Sequence, residues 1–96
     1  VINIRVILIY DISTDDEKGK RRLVKIMKTC RKYLVHVQKS VFEGDITEGQ
    51  MLLLKKEILA VINKQQDFVI IYSLPDGNKL SRDILTDTRD PMDNFL

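Results

Sequence analysis

One cysteine, Cys30, excludes an internal disulfide framework, and no apolar run approaches the ~20 residues needed to span a bilayer. The first residues lack a basic segment followed by a long apolar stretch and a small-residue cleavage site. A cytoplasmic protein with no membrane partner is therefore expected. His36 is the only histidine. No Cys/His metal cluster, P-loop, Rossmann glycine pattern or serine triad is present, which removes the zinc, nucleotide and serine-hydrolase chemistries those motifs serve. With 96 residues there is room for one core and not for two. A chain of this size buries about 65% of its unfolded surface.

The chain does contain charge, and that charge is segregated. The formal net charge is +2. Residues 18–32 hold Lys18, Lys20, Arg21, Arg22, Lys25, Lys28, Arg31 and Lys32, half of the 16 basic residues, with no acid among them. Residues 76–96 lean the other way, with five aspartates against three basic residues. A basic body and an acidic end say more about partners than the total does.

Residues 3–10 read as a strand, β-branched and apolar on both faces. Ile4, Val6, Leu8 and Tyr10 point one way; Ile7 and Ile9, flanked by Arg5 and Asp11, point the other. Ser13-Thr14-Asp15-Asp16 supplies turn formers and caps. A helix is expected from Lys20 to Tyr33, with Leu23, Ile26, Met27 and Cys30 forming one stripe. Residues 34–46 read as two strands with a break at Lys39-Ser40, and Gly44-Asp45 is a second candidate turn. Thr47-Glu48-Gly49-Gln50 has capping-box form. The helix it opens is expected to reach Asn63 and to share Met51, Leu54, Ile58, Val61 and Ile62 on one face. Lys64 to Asp67 reads as a polar connector, and Phe68 to Leu74 as a fourth strand, again apolar on both sides. Pro75-Asp76-Gly77-Asn78 is a turn signal.

The order β-α-β-β-α-β predicts an α+β fold: a ferredoxin-like βαββαβ sandwich, with a four-stranded antiparallel sheet and two helices on one face. Residues 1–76 form that domain. Residues 77–96 are expected as a tail able to add a C-terminal edge strand and to dock on a partner. Strands apolar on both sides leave the helix-free sheet face in need of cover, and a symmetric homodimer is the commonest cover.

Two features point toward chemistry. Asp11, at the end of an apolar strand, is either a turn residue or a ligand for Mg²⁺ or Mn²⁺, hard ions that take carboxylate oxygen. One carboxylate is too few for a strong site, and a two-fold axis would supply the second. The basic segment is either a solvated helix face or a phosphate-binding surface. Ser40 and Phe42 read as a polar contact and a stacking ring, or as a turn serine and a core aromatic. Cys30 reads as packing.

Taken in order, Ile9-Tyr10-Asp11-Ile12-Ser13, the Lys/Arg-rich helix start, His36-Val37-Gln38-Lys39-Ser40-Val41-Phe42-Glu43-Gly44 and Phe68-Val69-Ile70-Ile71-Tyr72 resemble the small CRISPR-associated Cas-two family. The resemblance spans residues 4–76. It implies a homodimer with a shared divalent metal, and an endoribonuclease that in some members cuts double-stranded DNA. It also implies a place in the spacer-integration complex beside the Cas-one integrase. By position it makes Asp11 the catalytic metal ligand. Tyr10, Lys20, Arg22, Ser40 and Phe42 fall where the family has nucleic-acid-cleaving or nucleic-acid-binding residues, and Lys25 and Lys28 extend that surface. Family members often carry arginine where this chain has His36, a side chain without arginine's permanent charge. The competing expectations are a non-catalytic DNA-binding adaptor, a toxin-like ribonuclease and a small regulatory module of the same architecture.

Overall fold

The structure, a computed structural model, describes residues 3–75, 80, 81, 83–87, 91 and 92. Its elements are β1 (Asn3–Asp11), α1 (Glu17–Tyr33), β2 (Val35–Gln38), β3 (Val41–Thr47), α2 (Glu48–Leu59) and β4 (Phe68–Leu74). The strands form one sheet in the order β2-β3-β1-β4, with every neighbouring pair antiparallel. This is the expected ferredoxin-like arrangement. The expected turn at Pro75–Asn78 lies largely outside the described residues, as does most of the tail that would carry a fifth strand. Among the described residues no helix is long and apolar enough to cross a membrane.

The two-residue alternation of β1 decides the core. Val6, Leu8 and Tyr10 are buried against Ile26 and Cys30 of α1 and against Met51, Leu54 and Ile58 of α2. Phe42 and Ile46 of β3 join the same cluster. Each large side chain buried in this way contributes about 1.5–3 kcal/mol. A second tie joins the helices outside the core: Glu57 of α2 accepts hydrogen bonds from Tyr33 and Lys32 of α1.

Three local expectations change. The first helix starts at Glu17, not Lys20, because Asp16 caps it, its carboxylate accepting from the Gly19 amide at 2.8 Å. The second helix ends at Leu59, not Asn63. Beyond it the amides of Val61 and Ile62 both donate to the Ile58 carbonyl, and Asn63 folds a tight turn by accepting from Gln65 and Gln66. Gly44-Asp45 is not a turn, because β3 runs straight through it, with Gly44 opposite Val6. The glycine is there for space, since a Cβ would stand 3.2 Å from Leu34 Cδ2. The capping box at Thr47 and Gln50 and the break at Lys39-Ser40 are as the sequence predicts, Lys39 turning with φ 27°.

Among the described residues, the other face of the sheet carries no helix. Residues directly opposite each other in an antiparallel pair share a face. Ile7 therefore stands beside Tyr72, and Ile9 beside Ile70. Phe68 is 62% exposed and Tyr72 57%. At the far end of this face Leu80 returns over a cavity of about 320 Å³ lined also by Arg5, Ile7, Tyr72 and Leu74.

Candidate active site

The odd residues of β1 face away from the helices, so the strand presents Asp11 on the open side at its last position. Asp11 is exposed and pairs with Phe68 of β4. Among the described residues its carboxylate has no hydrogen-bond or ion-pair partner, which leaves its oxygens available to a ligand.

The residues on either side hold it in place. Tyr10 is buried; its amide donates to the Ser40 carbonyl at 3.1 Å and its hydroxyl to the Lys39 carbonyl at 2.9 Å. Burial pushes the Tyr10 hydroxyl above its ordinary pKa, the nearby Cys30 adds to this, and Arg31 opposes it. The phenol is thus a fixed donor and not a base. Ile12 is buried, and the Ser13 amide donates to Asp67 Oδ1 at 3.0 Å.

An open cleft of about 730 Å³ runs along this strand end, and Tyr10, Asp11, Thr14, His36, Lys39 and Ser40 contribute to its walls. The structure therefore brings Asp11, Tyr10 and Ser40, three of the residues that the family resemblance singles out, into one cleft together with His36. Nε2 of His36 lies 2.6 Å from the Lys39 carbonyl, an acceptor only, so this nitrogen carries the hydrogen. The imidazole stacks on Phe42 with ring centroids 4.6 Å apart and 18° between planes. Phe42 has no exposed surface and also packs on Tyr10. Its ring supports the cleft wall from inside, and in this arrangement it offers no face to a base.

The basic helix divides into two groups. Lys20 pairs with Glu17 at 3.3 Å, and Lys32 pairs with Glu57. Arg22 turns inward, Nε donating to Asp67 Oδ2 at 2.8 Å and Nη2 to Asp67 Oδ1 at 3.2 Å. Among the described residues Lys18, Arg21, Lys25, Lys28 and Arg31 are exposed and make no ion pair. They are the cations open to a partner.

Asp67 is the residue that sequence reasoning passes over. Its side chain has no exposed surface. Desolvation pushes its pKa up, but hydrogen bonds from Arg22 and from the Asn63 and Ser13 amides outweigh burial and hold it below the usual carboxylate range. The one signal in the sequence is an aspartate immediately before an apolar strand, which reads equally well as a turn residue.

Among the described residues no group of three or more His, Cys, Asp or Glu side chains converges in a way that could hold a metal. Among the described residues, Asp11 is the one carboxylate without a partner that lines this cleft. That donor suits a hard divalent ion in kind but is too few in number for a strong site.

A family model described as CRISPR associated protein Cas2 matches residues 4–82. The chain is 77% identical over 91 residues to the CRISPR-associated endoribonuclease Cas2 2 of Moorella thermoacetica, covering 95% of this chain and 100% of that one. It is 40% identical over 91 residues to the CRISPR-associated endoribonuclease Cas2 of Fusobacterium nucleatum, covering 95% and 85%. Among solved structures, Streptococcus pyogenes Cas2 at pH 6.5 superposes with a TM-score of 0.67 at 31% identity, over 73% of this chain and 84% of that one.

Proposed function

The chain belongs to the CRISPR associated protein Cas2 family, and on that premise we propose that it acts in the cytoplasm as a homodimeric, Mg²⁺-dependent endonuclease of the CRISPR adaptation stage. Single-stranded RNA is the first substrate and double-stranded DNA the second; the endoribonuclease names of its relatives favour that order. The observation that carries the reading is the unpartnered Asp11 carboxylate at the margin of an uncovered apolar sheet face. A second copy laid on Ile7, Ile9, Ile70, Phe68 and Tyr72 removes that apolar surface from water. It also brings the two β1 ends toward each other and completes the pair of carboxylates.

Asp11 from each protomer would hold Mg²⁺ or Mn²⁺, which supplies charge neutralisation and a more acidic water for attack on phosphorus. The protein's own part is to keep that carboxylate exposed, free of other partners among the described residues and fixed in direction. Tyr10 does so by anchoring the strand to the Lys39-Ser40 turn. Lys18, Arg21, Lys25 and Lys28 hold the phosphate backbone without reading bases. Purified protein should cut single-stranded RNA in Mg²⁺, and the Asp11→Ala dimer should not. Equal cutting by that variant would remove the reading.

A second role rests on a separate observation. The unpaired cations run the length of α1, more than one scissile phosphate requires. A dimer with two such helices suits a duplex-holding bridge in spacer integration, with the acidic tail docking on the Cas-one integrase. In this role Asp11→Ala still supports spacer acquisition, whereas neutralising Lys25, Lys28 and Arg31 does not.

A further inference from the structure

We infer that Arg22 and Asp67 form a positioning clamp that fixes the backbone on both sides of Asp11. The inference rests on the reading of Asp11 as the cleaving carboxylate. It assigns Arg22 to the alignment of that carboxylate and not to the nucleic-acid backbone.

One buried carboxylate gathers four donors. Asp67 Oδ1 accepts from the Ser13 amide at 3.0 Å and from Arg22 Nη2 at 3.2 Å. Asp67 Oδ2 accepts from Arg22 Nε at 2.8 Å and from the Asn63 amide at 2.8 Å. Arg22 Nη2 also reaches Gln66 Oε1 at 3.4 Å. The Arg22 side chain is 14% exposed and the Asp67 side chain 0%. With the Nε–Nη2 edge spent on a buried carboxylate and the second Nη2 hydrogen turned toward Gln66, Nη1 is left to meet a phosphate singly and not as a bidentate fork.

The position of this hub gives it a consequence. Ser13 lies two residues beyond Asp11 on one side. On the other side, Asp67 adjoins Phe68, the residue paired with Asp11 between β1 and β4. The same carboxylate thus holds the chain that leaves Asp11 and the strand lying beside it. Gly19 reinforces the arrangement from α1. Its missing side chain lets the helix start pack onto the Ser13 carbonyl, where a Cβ would overlap the oxygen and stand 2.9 Å from the carbon. Helix α1, the connection after β1 and the connection before β4 therefore meet at one ion pair. Because Asp67 is buried and Arg22 is largely so, loss of either partner leaves the other charge poorly compensated.

The test uses the full-length protein, with the dimer and its melting behaviour checked for Arg22→Lys, Arg22→Gln and Asp67→Asn. Steady-state cleavage of a single-stranded RNA in Mg²⁺ is measured together with RNA affinity against salt, Mn²⁺ affinity and amide exchange at Ser13. The clamp predicts that kcat falls about tenfold to a hundredfold, the usual result of a small misplacement of a reacting group. KM and the salt slope stay as in the parent, Ser13 exchange rises and Mn²⁺ affinity drops. The double variant Arg22→Gln/Asp67→Asn is no worse than the poorer single one, because both act through one device. Arg22→Lys keeps the charge without the fork, so it falls in the same direction, and it carries the test if Asp67→Asn does not fold. A direct phosphate contact predicts the reverse for Arg22→Gln: weaker RNA binding, a salt slope smaller by about one, and unchanged kcat and Ser13 exchange. That pattern overturns the inference. Asp11→Ala separates the two readings. If it cuts like the parent, the cleavage reading fails, while Ser13 exchange and Mn²⁺ affinity in the Arg22 variants still decide whether the clamp aligns that strand end.

Discussion

Arg5 Nη2 stands 2.7 Å from Glu43 Oε2 across the β1–β3 pair, and Arg5 Nη1 stands 3.2 Å from Asp45 Oδ2. The Arg5 and Glu43 side chains are only 15% and 8% exposed, on the sheet face that carries no helix. The open face is therefore polar at the Arg5 end and apolar around Ile7, Ile9 and Tyr72, with Asp11 at its other limit. A partially buried pair of this kind costs most when it is broken from one side. Arg5→Met is expected to destabilise the protein by about 3 kcal/mol, the lower end of the range for such pairs. The Arg5→Met/Glu43→Leu protein should recover the part of that loss owed to the Arg5–Glu43 ion pair. Urea denaturation of the three proteins checks it; a double variant as weak as the single one contradicts it.

Phe42 is expected to matter through packing. With no exposed surface and rings of Tyr10 and His36 against it, Phe42→Ala should cost about 3–5 kcal/mol. RNA binding by the folded fraction should be close to that of the parent. A Phe42→Ala protein with parental melting and weakened RNA affinity would instead place the ring on the nucleic acid.

Much of this architecture is legible in the chain, for identifiable reasons. Period-two alternation in β1 and the runs in β4 fix the strands, and the Thr47–Gln50 capping box fixes the start of α2, because those signals depend on near neighbours. Gly44 misleads because its local signature is that of a turn, while its use is to leave room for Leu34, a contact made only after folding. The end of α2 misleads because Val61 and Ile62 keep the apolar period, whereas the chain leaves the helix at Ala60 and turns at Asn63 to deliver an amide to Asp67. At the site, Asp11 stands out as a lone carboxylate after an apolar run. The inward turn of Arg22 does not stand out, because its partner is 45 residues away and looks like linker. A run of cations reads as one surface, but ion pairs with Glu17, Asp67 and Glu57 divide it.

Cys30 should be chemically silent in the folded protein. Burial pushes its thiol up to about 12, so the thiolate is scarce at neutral pH and is shielded as well. Titration with a thiol reagent at pH 8 should give no reaction until denaturant is added. Rapid native labelling would show that the space between α1 and the sheet opens.

The tie between α1 and α2 should have a pH window. Hydrogen bonds from Lys32 and then Tyr33 hold the Glu57 carboxyl below its ordinary value, and the hydrogen bond to Glu57 raises Tyr33 and Lys32. A lowered acid stabilises the fold fully above its unfolded pKa, about 4.3 for glutamate, and the gain fades as pH falls through the lowered value. A raised tyrosine acts fully below about 10 and fades as pH climbs through its raised value. The difference in melting temperature between the parent and Glu57→Gln should be largest and flat near neutrality and should shrink at both ends. A difference independent of pH contradicts it.

The central claim is that Asp11 is half of a site completed by a second copy across the open sheet face. Mn²⁺ titration of the dimer, followed by paramagnetic resonance, tests it most directly. The account predicts one tightly held ion for every two chains, lost in Asp11→Asn while sedimentation still shows the dimer. One ion per chain, or binding that survives Asp11→Asn, would contradict it.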